Sequence, residues 1–446
     1  MRILLFSTNA NNYNPKTMHR ISWPSCKDNF QKLCQTYTEH SFVIATQMPG
    51  TFLIDYDGEE ICEKSEFVEY HLIPQNLKTA EEIARFLDSL KCDLALPVSF
   101  WDPPYDWHCV MDSIIAEKMS TYKQCIDKNF SMLCFQKQKI RVFLEQNGFF
   151  IPNGFSIDRE LYMAEKSTPS VKINVYKEYI QSCLEKMEYP IVIKDTCGLS
   201  SFNVDVINTL EGSKNYLHSK KMKSNRLVEK FIKGIHAGIE IMGNDDGITV
   251  LDPFFFSVNQ YGITSPKQSI KIGPVTDEIF MISKLKSEMS RLGKLMNIKG
   301  LCQVDLVFDG KQWYIIEINP RISGMTAISA ASLGESPIQM IIQNALGLTQ
   351  IQNPHGMIFL DMKLLPCSKQ TIQKLSELDF VLFVCSTIND LAKQHRECGY
   401  TQIIIFGNDQ QNLRMNLNVL KEKFPDLMEE SFFQKALEMT DYFKKN

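Results

Sequence analysis

Residues 302–326, CQVDLVFDGKQWYIIEINPRISGMT, constrain the fold of this chain more than any others. Two apolar runs flank Asp309-Gly310, a strong hairpin signal. Side chains alternate along a strand with period two. Gln303, Asp305 and Val307 therefore share one face of the first run, and Cys302, Val304, Leu306 and Phe308 share the other, apolar face. On the second run Trp313, Ile315, Glu317 and Asn319 fall together. A three-residue loop, Asp309-Gly310-Lys311, is expected to set Asp305 opposite Ile315 and Gln303 opposite Glu317. Asp305 and Glu317 are then diagonal neighbours on one face, about 7–8 Å apart. A two-residue loop would send the two polar sets to opposite faces.

Asp305, Glu317 and Asn319 are hard oxygen donors, too few for a closed calcium cage. Mg²⁺ takes one or two carboxylates and completes its shell with water and substrate phosphates. These three residues are the candidate metal ligands, with Mg²⁺ the expected ion and Mn²⁺ the alternative. Arg321 follows and offers a planar fork to a phosphate or carboxylate.

Upstream residues suit the rest of a nucleotide. Lys194 ends the strand-like YPIVIK, and Gly198, Ser200 and Ser201 lie in the turn beyond it. Glycine admits close backbone approach to a phosphate, and serines add donors. Lys137 lies in QKQKIRVFLEQNG. Glu229, Lys230, Phe231 and Ile232 read as a strand whose backbone edge and carboxylate can hold an adenine amino group. His236 has no second His or Cys at metal-ligand spacing, so a transition-metal centre is not expected there.

The chain has 446 residues, 44% of them hydrophobic and 22% charged, a composition of folded soluble proteins. That length exceeds one ordinary core. A net charge of −4 calls for no polyanionic partner. The densest basic run, residues 218–226, is short and lacks interleaved aromatics, so no nucleic acid is expected. No apolar stretch approaches the roughly 18 residues of a membrane span, so no membrane partner is expected. The run ILLF after Arg2 is too short for a signal peptide and reads as a first strand. Thirteen cysteines without a CxxC pair favour reduced thiols and a cytoplasmic location.

The pattern predicts α/β and α+β structure. A small open parallel α/β domain is expected over residues 1–120, with strands at 2–7, 41–45 and 92–98 and a helix at 80–90. The aromatic loop at 101–108 is expected to contact ligand or to cap the sheet. Helices are expected at 131–147, 174–187, 282–296 and 337–346, and strands at 189–194, 225–232 and from 239. Residues 351–446 read as a separate α+β unit, with helices at 388–397 and 411–423.

Together these residues resemble the ATP-grasp superfamily of carboxylate–amine or carboxylate–thiol ligases. The resemblance covers roughly residues 121–347 and is strongest in VDLVFDGKQWYIIEINPRISG. It implies an ATP-grasp domain over 121–350, with a lid subdomain over about 153–232, after a pre-ATP-grasp-like domain. It implies Asp305, Glu317 and Asn319 as Mg²⁺ ligands and Lys137 and Lys194 as the ATP lysines. Gly198, Ser200 and Ser201 become the phosphate loop, although Phe202 replaces a usual glycine. Glu229, Lys230, Phe231 and Ile232 become the adenine hinge, and His236 or Glu240 the ribose contact. The implied activity is ATP-dependent joining of a small-molecule carboxylate to an amine through an acyl phosphate, with Arg321, Lys194 and Ser200 catalytic. A stand-alone amino-acid or peptide ligase fits, and the C-terminal unit is expected to wall the substrate or to form a homodimer contact. Gln303 stands where many relatives carry Arg or Lys. It keeps open two alternatives, a non-catalytic ATP-binding protein with a degenerate site and an ATP-dependent small-molecule kinase.

Overall fold

Arg2–Ser7 forms a strand because ILLF can be buried on both faces of a parallel sheet. Ile3, Leu4, Leu5 and Phe6 are all buried there. The structure is a computed structural model that describes residues 1–8, 20–47, 56–57, 60–61, 67–99, 107–198, 203–264, 269–348, 356–387 and 400–444. The first sheet has four parallel strands in the order Val68–Leu72, Ser41–Thr46, Arg2–Ser7, Leu94–Pro97. Helix Ala80–Ser89, opened by a capping box of Thr79 and Glu82, packs Ile83 and Leu87 on one face. Cys26–Thr36 and Pro337–Ala345 cover the other through Phe30, Leu33, Ile338 and Ile342.

A second, antiparallel sheet orders Asp205–Ile207, Ile191–Asp195, Arg226–Lys230 and Gly154–Ile157. Val175–Glu185, capped by Asn174, and Leu210–His218 pack on it around Ile180, Leu184, Ile193, Leu217 and Val228.

The largest sheet has ten strands. It runs Trp313–Asn319, Gly300–Phe308, Ile235–Gly243, Phe254–Phe256, Ile270–Gly273, Ile358–Leu364, Thr401–Gly407, Val381–Thr387 and Arg20–Trp23, with Ile248–Val250 attached to Ile235–Gly243. All its pairings are antiparallel. Residues 356–444 thus share a sheet with residues 235–319, and an early strand, Arg20–Trp23, closes its far end. A boundary at 350 falls between strands of one sheet.

The helix expected at 131–147 is two helices, Lys128–Phe135 and Lys137–Gln146. Gln136 breaks them with φ −105° and ψ 94°. No glycine or proline marks this break in the sequence. The helix expected at 388–397 and most of the aromatic loop, 101–106, lie outside the described residues. Helices Trp107–Lys118, Thr326–Ser332 and Glu430–Met439 were not among the expected elements.

Candidate active site

The hairpin joins Gly300–Phe308 to Trp313–Asn319 through a four-residue loop, not three. Asp309 holds this loop by accepting the N–H groups of Lys311 and Gln312 at 2.8 and 2.9 Å, and Gly310 takes φ +94°. Phe308 faces Trp313 and Leu306 faces Ile315, but Asp305 then faces Glu317 directly. Ile316 is the extra residue of a β-bulge, which flips the alternation that follows it. Trp313 and Ile315 therefore join Val304, Leu306 and Ile318 in the core. Glu317 and Asn319 turn to the opposite face, with Gln303 and Asp305. The single face predicted for Trp313, Ile315, Glu317 and Asn319 is thus corrected, and so is the diagonal placement of the acids.

The polar face is tightly connected. Gln303 Nε2 donates to Asp305 Oδ1 at 2.6 Å, and Asn319 Nδ2 donates to Asp305 Oδ2 at 3.3 Å. Arg321 is buried and donates to Asn319 Oδ1 at 3.2 Å and to its neighbour's carbonyl, Ile322 O, at 3.1 Å. Lys137 Nζ lies 2.5 Å from Glu317 Oε1. The helix break at Gln136 makes this reach possible. It sets Lys137 at the start of a helix, with its N–H on Thr196 O at 2.8 Å.

Lys194, next to last in its strand, faces the hairpin and lies 2.5 Å from Glu229 Oε2. Arg141, one helical turn after Lys137, pairs with the other oxygen of Glu229 and donates to Pro152 O at 2.7 Å. Arg141 was not among the expected site residues. The i,i+4 spacing of Lys137 and Arg141 was the available signal, since it puts them on one helix face. Lys230 N–H bonds Asn153 O and Phe231 N–H bonds Pro190 O, so neither is left to hold a base edge.

One cavity of about 250 Å³ gathers these groups. Lys137, Lys194, Asp305, Glu317, Asn319 and Arg321 line it, and so do Gly198, His236 and the segment 229–232. Lys271, Lys363, Phe256 and Ser323 line it too and were not anticipated. The signal for Lys271 was a single lysine between two isoleucines in SIKIG. Glu240 does not line the cavity. It shares the strand face of His236 but is fully buried, accepting from Thr326 Oγ1 at 2.6 Å. Helix Thr326–Ser332 covers it, so it cannot reach a ribose. Ser200 and Ser201 lie outside the described residues.

Electrostatics separate the two acids. Burial, and next the Glu317 carboxylate, pushes Asp305 up to about 7. Burial would raise Glu317 as well, but Lys137, then Lys194 and Arg321, bring it below its ordinary value. Burial lowers His236 to about 4, which leaves a neutral imidazole able to bond hydroxyls. A directly opposed carboxylate pair attracts compact positive charge, and its hard oxygen donors suit Mg²⁺.

Residues 134–325 match the family model of the ATP-grasp domain. A carbamoyl-phosphate synthase of Methanobrevibacter smithii is 27% identical over 188 residues, 42% of this chain and 50% of that protein. The chain thus spans about half the length of that relative. Two solved structures share the fold. The biotin carboxylase domain dimer of Hydrogenobacter thermophilus 2-oxoglutarate carboxylase, solved with MgADP, ADP and bicarbonate, aligns with a TM-score of 0.64 at 12% identity, covering 99% of this chain and 93% of its own. An L-amino acid ligase of Bacillus licheniformis aligns with 0.63 at 14%, covering 98% and 97%. Residues 134–325 thus match an ATP-grasp domain, and the described chain shares the fold of these two structures.

Proposed function

We propose that this protein is an ATP-dependent, ADP-forming ligase that joins a small-molecule carboxylate to an amine, on an amino acid or peptide. The observation that carries this reading is the direct opposition of Asp305 and Glu317, beside Asn319, in one cavity with Lys137, Lys194 and Arg321. The family match and the fold support it.

In this reading the segment 229–232 holds adenine by its backbone edge, with Ile232 N–H as the donor, and His236 meets the ribose as a neutral imidazole. Lys137 and Lys194 hold phosphates, and Gly198 lets the backbone approach them. Ser200 and Ser201 are proposed to cover the γ-phosphate. Asp305, Glu317 and Asn319 would hold Mg²⁺, which neutralises phosphate charge when bound. Arg321 orients the substrate carboxylate for attack on the γ-phosphorus and offsets the charge that develops. The amine then attacks the acyl carbon of the acyl phosphate so formed, the C–O bond to phosphate breaks, and inorganic phosphate leaves. Exclusion of water protects the acyl phosphate from hydrolysis.

The test is phosphate and ADP release with Mg²⁺ and ATP, screened against pooled amino acids and short peptides with mass detection. Release that needs both a carboxylate and an amine, with a product one water lighter than their sum, is expected. A stable phosphorylated product without an amine would instead indicate a kinase. Nucleotide binding without release from any pool would indicate a non-catalytic binding protein.

A further inference from the structure

A second set of charged side chains lines the same cavity away from the hairpin. Strands Ile270–Gly273 and Ile358–Leu364 pair antiparallel, with Lys271 opposite Asp361. Ile270, Ile272, Leu360 and Met362 all lie in the main core, so alternation turns Lys271, Asp361 and Lys363 to the cavity face. Lys271 Nζ is 2.7 Å from Asp361 Oδ2, and Gln402 Nε2 reaches both Asp361 oxygens at 3.0 Å. Asp361 is wholly buried, whereas Lys271 and Lys363 line the cavity. The carboxylate is thus sealed beneath Lys271. An ammonium has three donors, and Asp361 engages one of those on Lys271. Lys363 Nζ stands 4.5 Å from the centre of the Tyr400 ring. A buried Lys–Asp pair is costly beside an apolar pair of similar size. Nothing in the surrounding isoleucine and leucine packing requires one.

We propose that this wall is an anion subsite, in which the ammonium groups of Lys271 and Lys363 hold an acidic group of the substrate other than the carboxylate that is activated. The inference rests on the ligase reading above and narrows its substrate class. Strand Ile270–Gly273 lies three strand spacings, about 14 Å, from the strand of Asp305. The held group is therefore remote from the reacting one. Lysine is a point charge without the planar fork of arginine, so a carboxylate and a phosphate are both served. The neutral Gln303 fits this division of charge, since the cations of the substrate end stand on other strands.

The experiment sorts acid substrates by what they carry besides the reacting carboxylate: no further charge, a second carboxylate, or a phosphate. Each pool is given with mixed amines, ATP and Mg²⁺, and binding of Mg²⁺ with a non-hydrolysable ATP analogue is measured in parallel. Release is expected only from the pools with a further anion, and the responding pool identifies which anion it is. Lys363→Met is expected to lower kcat/KM for that substrate about ten-fold or more, mainly through KM, as loss of a charge-assisted hydrogen bond does. Lys363→Arg should retain most of it, and the nucleotide analogue should bind all variants alike. Lys271→Met is a weaker probe, because it strands Asp361 and can impair folding. Turnover of uncharged acids, equal rates in Lys363→Met, or no release from the anionic pools despite intact nucleotide binding would overturn the subsite. Failure of Mg²⁺ and the analogue to bind at all would overturn the ligase reading and take the subsite with it.

Discussion

At the scale of single residues, the site divides into groups that face the cavity and groups that only resemble them in sequence. Glu317 is of the first kind. Glu317→Ala is expected to leave the circular dichroism spectrum unchanged and to lower turnover about 100-fold or more, because it removes a proposed ligand of the charge-neutralising metal. Normal turnover with an unchanged Mg²⁺ requirement would sink that assignment. Lys194→Ala is expected to weaken ATP binding about ten-fold, since it removes a charge-assisted contact to phosphate, and an unaltered dissociation constant would remove Lys194 from the site. Glu240 is of the second kind, and it carries a pH signature. Its carboxyl is pushed up from 4.5 to about 7, with burial the main cause. The folded state then binds the proton more tightly than the unfolded state. Stability should fall as pH rises from 4.5 to about 7 and level off above it, by up to about 3 kcal/mol. Glu240→Gln keeps an acceptor for Thr326 and abolishes the titration. Its advantage over the wild type in urea unfolding should grow between pH 5 and pH 8, and a pH-independent difference would count against the argument. The sequence singled out Asp305, Glu317, Asn319, both lysines and Arg321, which line one cavity, because each stands out against an apolar or patterned background. It misplaced Glu240 because strand alternation gives the face of a residue but not the helix that lies over that face.

At the scale of elements, two irregularities do the positioning, and both were hidden in regular-looking sequence. The β-bulge at Ile316 brings Glu317 opposite Asp305, yet Tyr314 to Ile318 reads as an unbroken apolar strand around one acid. A bulge leaves no mark in composition. It follows from the core's claim on Trp313 and Ile315 together with Ile318, which a two-residue period cannot satisfy. The break at Gln136 is similar, since no glycine or proline marks it. The lid offers an element-level test. A Cβ on Gly154 would meet Val228 O at 2.1 Å and Glu229 Cα at 2.9 Å, both backbone atoms. Strand Gly154–Ile157 pairs Gly154 with Glu229, so the clash opens the four-stranded sheet at the segment proposed to hold adenine. Gly154→Ala is expected to destabilise the lid by about 1–3 kcal/mol, the usual cost of overpacking. The expected readouts are faster amide exchange in residues 226–230 and weaker ATP binding. Exchange and affinity equal to the wild type would show that the two strands accommodate the Cβ without opening.

At the scale of the whole molecule, the sequence reads as three consecutive units, and the ten-stranded sheet ties them together. Local pattern identified the parallel sheet near the N-terminus, the lid strands and most C-terminal elements. It could not identify which strands pair across hundreds of residues, because pairing depends on edges and faces that only the assembled chain presents. The consequence is testable by truncation. Ile358–Leu364 covers the edge of Ile270–Gly273, and Val381–Thr387 pairs with Arg20–Trp23. Leu360, Met362, Ile403, Ile405, Leu413 and Leu417 complete the core that also contains Ile239, Val304 and Ile315. A chain ending at residue 350 would expose that core and an unpaired strand edge, a template for association. The truncated protein is therefore expected to aggregate or to melt without a single cooperative transition, and to lose nucleotide binding although every proposed ATP contact is retained. A soluble 1–350 chain with one sharp transition and undiminished ATP affinity would mean that the sheet divides into independent parts at Ile270–Gly273. In that case the lysine wall would belong to a separable domain, and not to the body that holds the nucleotide.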